Sequence, residues 1–217
     1  IWGIAVNTSH RCCGQTDPHK VLLTGLLVAA ATGLPILFGM RRPEDWPLRE
    51  QLVLLRPGDV VTYCFRSTPH CIVERGRVLP AIREARYRGI LFDVGHGCGS
   101  FDFNVAEAAV RDGFPPDTIS TDLQRGHIGQ TPTHDLPLVM SKLRSIGMPE
   151  RDIFAAVTSR PARTLGQFDE IGSLKVGSRA DLCLLRWHDC GEPLVDVHGQ
   201  QRSGGRWKAI ATIRGGR

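Results

Sequence analysis

Arg88-Gly89-Ile90-Leu91-Phe92-Asp93-Val94-Gly95-His96-Gly97 and, further on, Thr118-Ile119-Ser120-Thr121-Asp122 are the two stretches that decide the fold. Each is a short apolar run that breaks into polar residues at its C-terminal end. Runs of this kind, without polar alternation, are strands buried on both faces, and such strands belong to parallel sheets. Polar groups following parallel strands gather at one mouth.

The rest of the chain extends the pattern in both directions. Ile4-Ala5-Val6, Pro35-Ile36-Leu37-Phe38 and the β-branched and aromatic run Asp59 to Phe65 read as further strands. Helices alternate with them. Asp17 is an N-cap with Pro18 at the first helical position, and that helix runs to Thr32 and stops at Gly33. Leu48 to Leu55, Val78 to Arg88, Phe103 to Asp112, Leu136 to Ile146 (with Gly147 as C-cap) and Glu150 to Val157 complete the set. Four or five βα units in about 150 residues fit half of a (β/α)8 barrel, whose whole form takes about 250. The expected class is α/β, a partial TIM-type barrel. A doubly wound open sheet is the alternative, but no Gly-x-Gly-x-x-Gly follows a strand. Gly95-His96-Gly97-Cys98-Gly99 lacks the Lys-Ser/Thr of a phosphate loop.

After Leu165 the texture changes. Ile171 to Leu182 reads as a turn-rich strand pair, followed by short β segments to Arg217. The expected division is a barrel portion over 1–168 and a small β-sandwich portion over 169–217.

Composition narrows the class. The chain has 217 residues, 41% hydrophobic and 23% charged, and carries a formal charge of +5. The basic residues are dispersed, which is a solvated surface and argues against a nucleic-acid partner. No run reaches the roughly 18 apolar residues of a membrane span. Val21 to Leu37 comes nearest, and Thr24, Gly25, Thr32 and Gly33 interrupt it. There is no secretory leader pattern. Ile1 opens inside an apolar run, so the chain reads as a piece of something longer. The seven Cys are irregularly spaced without Cys-x-x-Cys, which points to reduced thiols in a cytoplasmic setting.

Pro161-Ala162, Leu165-Gly166 and Ile171-Gly172-Ser173-Leu174-Lys175-Val176-Gly177-Ser178-Arg179-Ala180-Asp181-Leu182 resemble the end of a metal-dependent amidohydrolase. Arg56-Pro57-Gly58-Asp59-Val60, Arg88 to Gly97, Ser100-Phe101 and Ile119-Ser120-Thr121-Asp122 resemble the amidohydrolase/deacetylase branch, close to dihydroorotases. The similarity covers nearly the whole chain and corresponds to the second half of a family member, from about the fourth barrel strand to the eighth. The resemblance implies hydrolysis of an amide or ester bond on a small acylated carboxylate, with one or two divalent ions, zinc above all, activating water at the barrel mouth.

In that family the ligands are a His-x-His pair on the first strand, a carboxylated Lys on the fourth, His on the fifth and sixth, and Asp on the eighth, which also serves as general base. The resemblance puts the pair before Ile1, the Lys at Ala5, and the two His at Gly39 and Tyr63. Asp122 keeps the eighth-strand position and is the candidate catalytic and metal-ligating residue. His96, Gly97 and Arg66 are the candidate substrate-binding residues. One carboxylate does not hold a catalytic zinc, which takes three protein ligands. The expectation is therefore a pseudoenzyme, without metal-dependent turnover of its own. The other expectation is a non-catalytic scaffold in which Arg66, His96 and Asp122 bind a small anion, or which associates with an intact paralogue. Two open sheet edges in half a barrel invite pairing, so a homo-oligomer is also expected.

Other readings weigh against single residues. Asp122 suits a helix N-cap, and His96 a turn. His127 and His134 read as solvated loop residues, His188 with Cys190 as a surface pair, and His70 and Cys71 have no assigned role.

Overall fold

The computed structural model describes residues 2–67, 71–130 and 133–217, so His70 lies outside the described residues. In chain order the elements are β1 (Ile4–Asn7), α1 (His10–Cys13), α2 (Pro18–Thr32), β2 (Ile36–Gly39), α3 (Leu48–Val53), β3 (Val60–Thr62), β4 (Val73–Glu74), β5 (Arg77–Val78), α4 (Pro80–Tyr87), β6 (Leu91–Phe92) and α5 (Phe103–Arg111). A single 3-10 turn at Arg125–His127 follows. Then come α6 (Leu136–Ser145), α7 (Glu150–Val157), α8 (Ser159–Thr164), β7 (Leu182–His188), β8 (Leu194–Val195), β9 (Gln201–Arg202) and β10 (Arg206–Ile213).

β1, β2, β3 and β6 form one parallel sheet in that order, and a parallel bridge from Asp93 to Thr118 adds a further extended segment at its edge. The order rises steadily along the chain. A barrel is built that way, whereas a doubly wound sheet reverses its order at a switch point. The register sets Asn7, Gly39 and Thr62 side by side at the C-terminal ends of their strands.

Local chemistry explains the boundaries. Asp17 accepts the His19 N–H at 3.0 Å, Pro18 opens α2, and Gly33 closes it at φ 69°. The start of β3 is fixed by Asp59, a buried carboxylate that accepts the N–H of Ile36 and of Arg56 (both 2.8 Å) and the Arg56 guanidinium at 2.9 Å. That is the structural use of Arg56-Pro57-Gly58-Asp59: it ties β3 to the strand beside it.

Val6 faces α2 so closely that a Cβ on Gly25 would overlap its methyl. Alternation then turns Ala5 to the opposite face, where Leu37 and Val60 lie alongside it. That face is open. Trp2 is 56% and Leu37 43% exposed, and with Ala5, Val60, Ser120 and Leu165 they border a cavity of about 330 Å³. The helical side is closed over Phe38, Phe65, Phe92, Phe101, Phe103 and Phe114, all buried.

β7 and β10 form an antiparallel ribbon with an irregularity at Ala209–Ala211. It packs on α6 and α7 through Trp207, whose backbone N–H donates to Ser141 Oγ at 2.9 Å and whose ring meets Phe154 edge-on at 5.5 Å. β8 and β9 make a hairpin whose Asp196 accepts the Phe103 N–H at 3.0 Å. The stretch before β7 corrects the sequence expectation. Ile171 to Asp181 is a turn-rich loop and not a strand pair. Gly172 and Gly177 both take positive φ, and Arg179 folds back to Glu170 through its N–H (2.8 Å) and its guanidinium (2.7 Å).

Candidate functional site at the strand ends

Two carboxylates stand at the C-terminal side of the sheet, in opposite circumstances. Asp93 follows β6 and is buried. It accepts the hydroxyls of Thr62 (2.8 Å), Thr118 (2.7 Å) and Ser120 (2.6 Å), which belong to the segments on either side of it. Burial pushes its pKa up, and the three hydroxyls pull the other way. Its lone pairs are committed to holding strands together.

Asp122 is half-buried and sits at φ 46°. Its Oδ2 accepts the Gln124 side-chain amide at 3.1 Å. A Cβ on Gly97 would lie 2.5 Å from that same oxygen, and Gly97 itself is at φ 49°, so the glycine permits the close approach. Tyr63, just past β3, is also left-handed, at φ 64°. An aromatic residue in that region is a strained outlier, and such strain concentrates at sites that the surrounding structure over-determines. The Arg66 guanidinium covers the Tyr63 ring at 4.2 Å, and its Nε–H donates to Ser100 Oγ at 3.0 Å. Burial, followed by the Asp122 charge, pushes the Tyr63 phenol up. Burial pulls Arg66 down, against the opposing pull of Tyr63 and Asp122. Tyr63, Arg66 and Asp122 thus form one electrostatic group at the mouth.

His96 is placed differently from these. It is buried against Phe101, with parallel rings 5.1 Å apart. Its Nδ1–H donates to the Gly97 carbonyl at 2.8 Å, which leaves Nε2 to accept from the Lys142 ammonium at 2.7 Å. Both nitrogens are used inside the protein. Burial, then the Lys142 charge, pulls its pKa down to about 3, so the ring is neutral at ordinary pH. Burial likewise pulls Lys142 down to about 8.

His127 and His134 depart from the reading as solvated loop residues. Both are buried, with rings stacked at 4.0 Å and 17°. His134 also meets His96 edge-on at 4.9 Å. No local signal identified them, because the partners that bury them are remote in sequence.

The mouth is poor in donors for a divalent ion. Ala5 and Gly39 carry no donor, and the space beside Gly39 is filled by Asn7, whose Cγ would be 2.9 Å from a Cβ there. Tyr63 supplies a phenol whose pKa is already raised. Among the described residues no group of three or more His, Cys, Asp or Glu is arranged to hold a metal. These residues do not fit a catalytic divalent ion.

No family model matches the chain. A deacetylase from Brucella anthropi is 37% identical over 200 residues, 92% of this chain and 49% of the relative, and one from Agrobacterium fabrum is 36% identical over the same share of the chain. A solved adenine deaminase superposes over the whole chain with a TM-score of 0.90 at 30% identity, covering 59% of that structure. A solved dihydroorotase does so with a TM-score of 0.85 at 33% identity, covering 56%. The chain belongs to the amidohydrolase superfamily. It spans about half the length of the curated relatives it matches. Among the described residues no helix is long and apolar enough to cross a membrane.

Proposed function

We propose that this amidohydrolase chain descends from a deacetylase-type hydrolase of small acylated carboxylates and has no metal-dependent turnover of its own. The observation that carries the reading is Tyr63. Its ring stands at the strand-end position where the family resemblance calls for a His ligand, held in a left-handed backbone and covered by Arg66. In this reading the Arg66 guanidinium, stacked on Tyr63, supplies at longer range the positive charge that a divalent ion supplies in the intact enzymes. The mouth is then suited to a small carboxylate ligand, with Arg66 as the cationic contact, Asp122 and the Gly97 backbone as the polar rim, and His96 as a buried support behind them.

The same reading counts β1, β2, β3, β6 and the Thr118 segment as the fourth to eighth barrel strands. It takes 169–217 as part of a flanking β-sandwich, a cytoplasmic setting, and association of copies through the open sheet edges. The direct test is turnover. The zinc-supplemented chain is assayed on N-acetyl amino acids and acetyl esters beside Asp122→Ala. No hydrolysis that depends on both zinc and Asp122 is expected. Zinc-dependent hydrolysis lost in Asp122→Ala would overturn the proposal.

A further inference from the structure

Four of the seven cysteines, Cys12, Cys98, Cys183 and Cys190, are exposed, and one of them is set apart by its surroundings. Cys98 lies between β6 and α5, and its Sγ is 2.9 Å from His127 Nε2. The other nitrogen of that ring fixes its tautomer. The backbone N–H of Gln124 donates to His127 Nδ1 at 2.9 Å, so Nδ1 holds a lone pair and the neutral ring carries its proton on Nε2, facing the sulfur. The ring is buried and stacked on His134, whose Nε2–H is in turn committed to the Thr121 carbonyl at 2.9 Å. His127 is therefore a fixed donor. It has no lone pair at Nε2 with which to take a proton from the thiol or to ligate a metal. What it offers is an N–H aimed at sulfur, and such a bond is much stronger to an anionic acceptor than to a neutral one. The sulfur is exposed, so a small reagent reaches it.

We propose that Cys98, held by His127, is a covalent modification site for small hydroperoxides at the barrel mouth. The Cys98 thiolate attacks the terminal oxygen of the hydroperoxide. An S–O bond forms, the O–O bond breaks, and the leaving alkoxide takes a proton from water. Sulfur is oxidised by two electrons to a sulfenic acid, and the hydroperoxide is reduced to an alcohol, or to water when it is hydrogen peroxide. Gly97, the residue before Cys98, packs against the Asp122 carboxylate.

The test exposes the full chain to hydrogen peroxide, traps sulfenic acid with dimedone and quantifies each cysteine peptide by mass spectrometry. Cys12, Cys183 and Cys190 serve as exposed references within the same digest. Cys98 is expected to be labelled about tenfold faster than any of the three. His127→Phe keeps a flat ring against His134 but has no donor, and it should bring Cys98 down to their rate. Equal labelling in the unaltered chain, or a preference that survives His127→Phe, would overturn the proposal. The tautomer is read separately from the ring nitrogen shifts of the unaltered chain by NMR, which does not depend on the variant folding. A proton on Nε2 is expected, and a proton on Nδ1 would overturn the proposal equally.

Discussion

Asp93 and Asp122 end neighbouring segments of one parallel sheet, and the contrast between them separates scaffold from site. Asp93 is buried and accepts three hydroxyls from two flanking segments, so most of its acceptor capacity is spent on the fold. Asp122 is half-buried in a left-handed backbone, accepts one side-chain amide, and acts through its charge on Arg66 and Tyr63. Strand-end polarity alone does not make a functional group. What separates the two is whether the acceptor positions of the carboxylate are used up by the fold.

The contrast is broken most readily by removing each carboxylate in turn. Asp93→Ala would leave three hydroxyls without their acceptor in a dry interior, and is expected to cost about 4 kcal/mol in urea denaturation. Asp122→Ala should change stability by less than about 1 kcal/mol, because its oxygens hold no strands together. Equal losses would mean that Asp122 is as structural as Asp93.

The supporting layer behind the mouth sets a pH dependence. His96 has a folded pKa near 3, below its ordinary value of 6.5, so the unfolded chain binds a proton that the folded chain refuses. The stability this represents is fully present above about pH 6.5 and is lost as pH falls towards 3, amounting to about 3 kcal/mol by pH 4. His96→Gln keeps an acceptor for Lys142 without a titrating ring, and the slope of unfolding free energy over that range should flatten in it. An unchanged slope would place the acid sensitivity elsewhere.

A smaller effect sharpens the comparison at the point of contact. Gly97→Ala puts a Cβ 2.5 Å from Asp122 Oδ2, at a backbone φ of 49°. A loss of about 2 kcal/mol is expected, with the Asp122 side chain displaced, whereas alanine at Gly113 (positive φ but open space) should cost only about 1 kcal/mol. Similar losses at the two positions would remove the argument that Gly97 exists to admit Asp122.

How much of this was legible beforehand follows from how local each determinant is. The bounds of α2 were readable because Asp17-Pro18 and Gly33 carry their capping chemistry in adjacent residues. The parallel sheet was readable from the unalternating apolar runs. The end of β3 was not: the apolar run suggests a strand to Phe65, yet regular pairing stops at Thr62 because Tyr63 turns left-handed. The hydroxyl cage of Asp93 was hidden for a different reason, since Thr62 and Thr118 lie 31 and 25 residues away. The stacked His127 and His134 were missed likewise, as polar-loop composition says nothing of burial by distant elements. Asp122, Arg66 and Gly97 do share the mouth, while His96 stands behind it with both ring nitrogens engaged. Those relations depend on side-chain direction, which a strand assignment does not supply.

If Tyr63 and Arg66 occupy the mouth in place of a metal, as proposed, Asp122 holds no zinc. The most direct measurement is the zinc content of the zinc-loaded, desalted chain, with Asp122→Ala treated in parallel. No retained zinc beyond background is expected in either protein. About one tightly held zinc per chain, lost in Asp122→Ala, would contradict that expectation and mean that donors elsewhere complete a working metal centre.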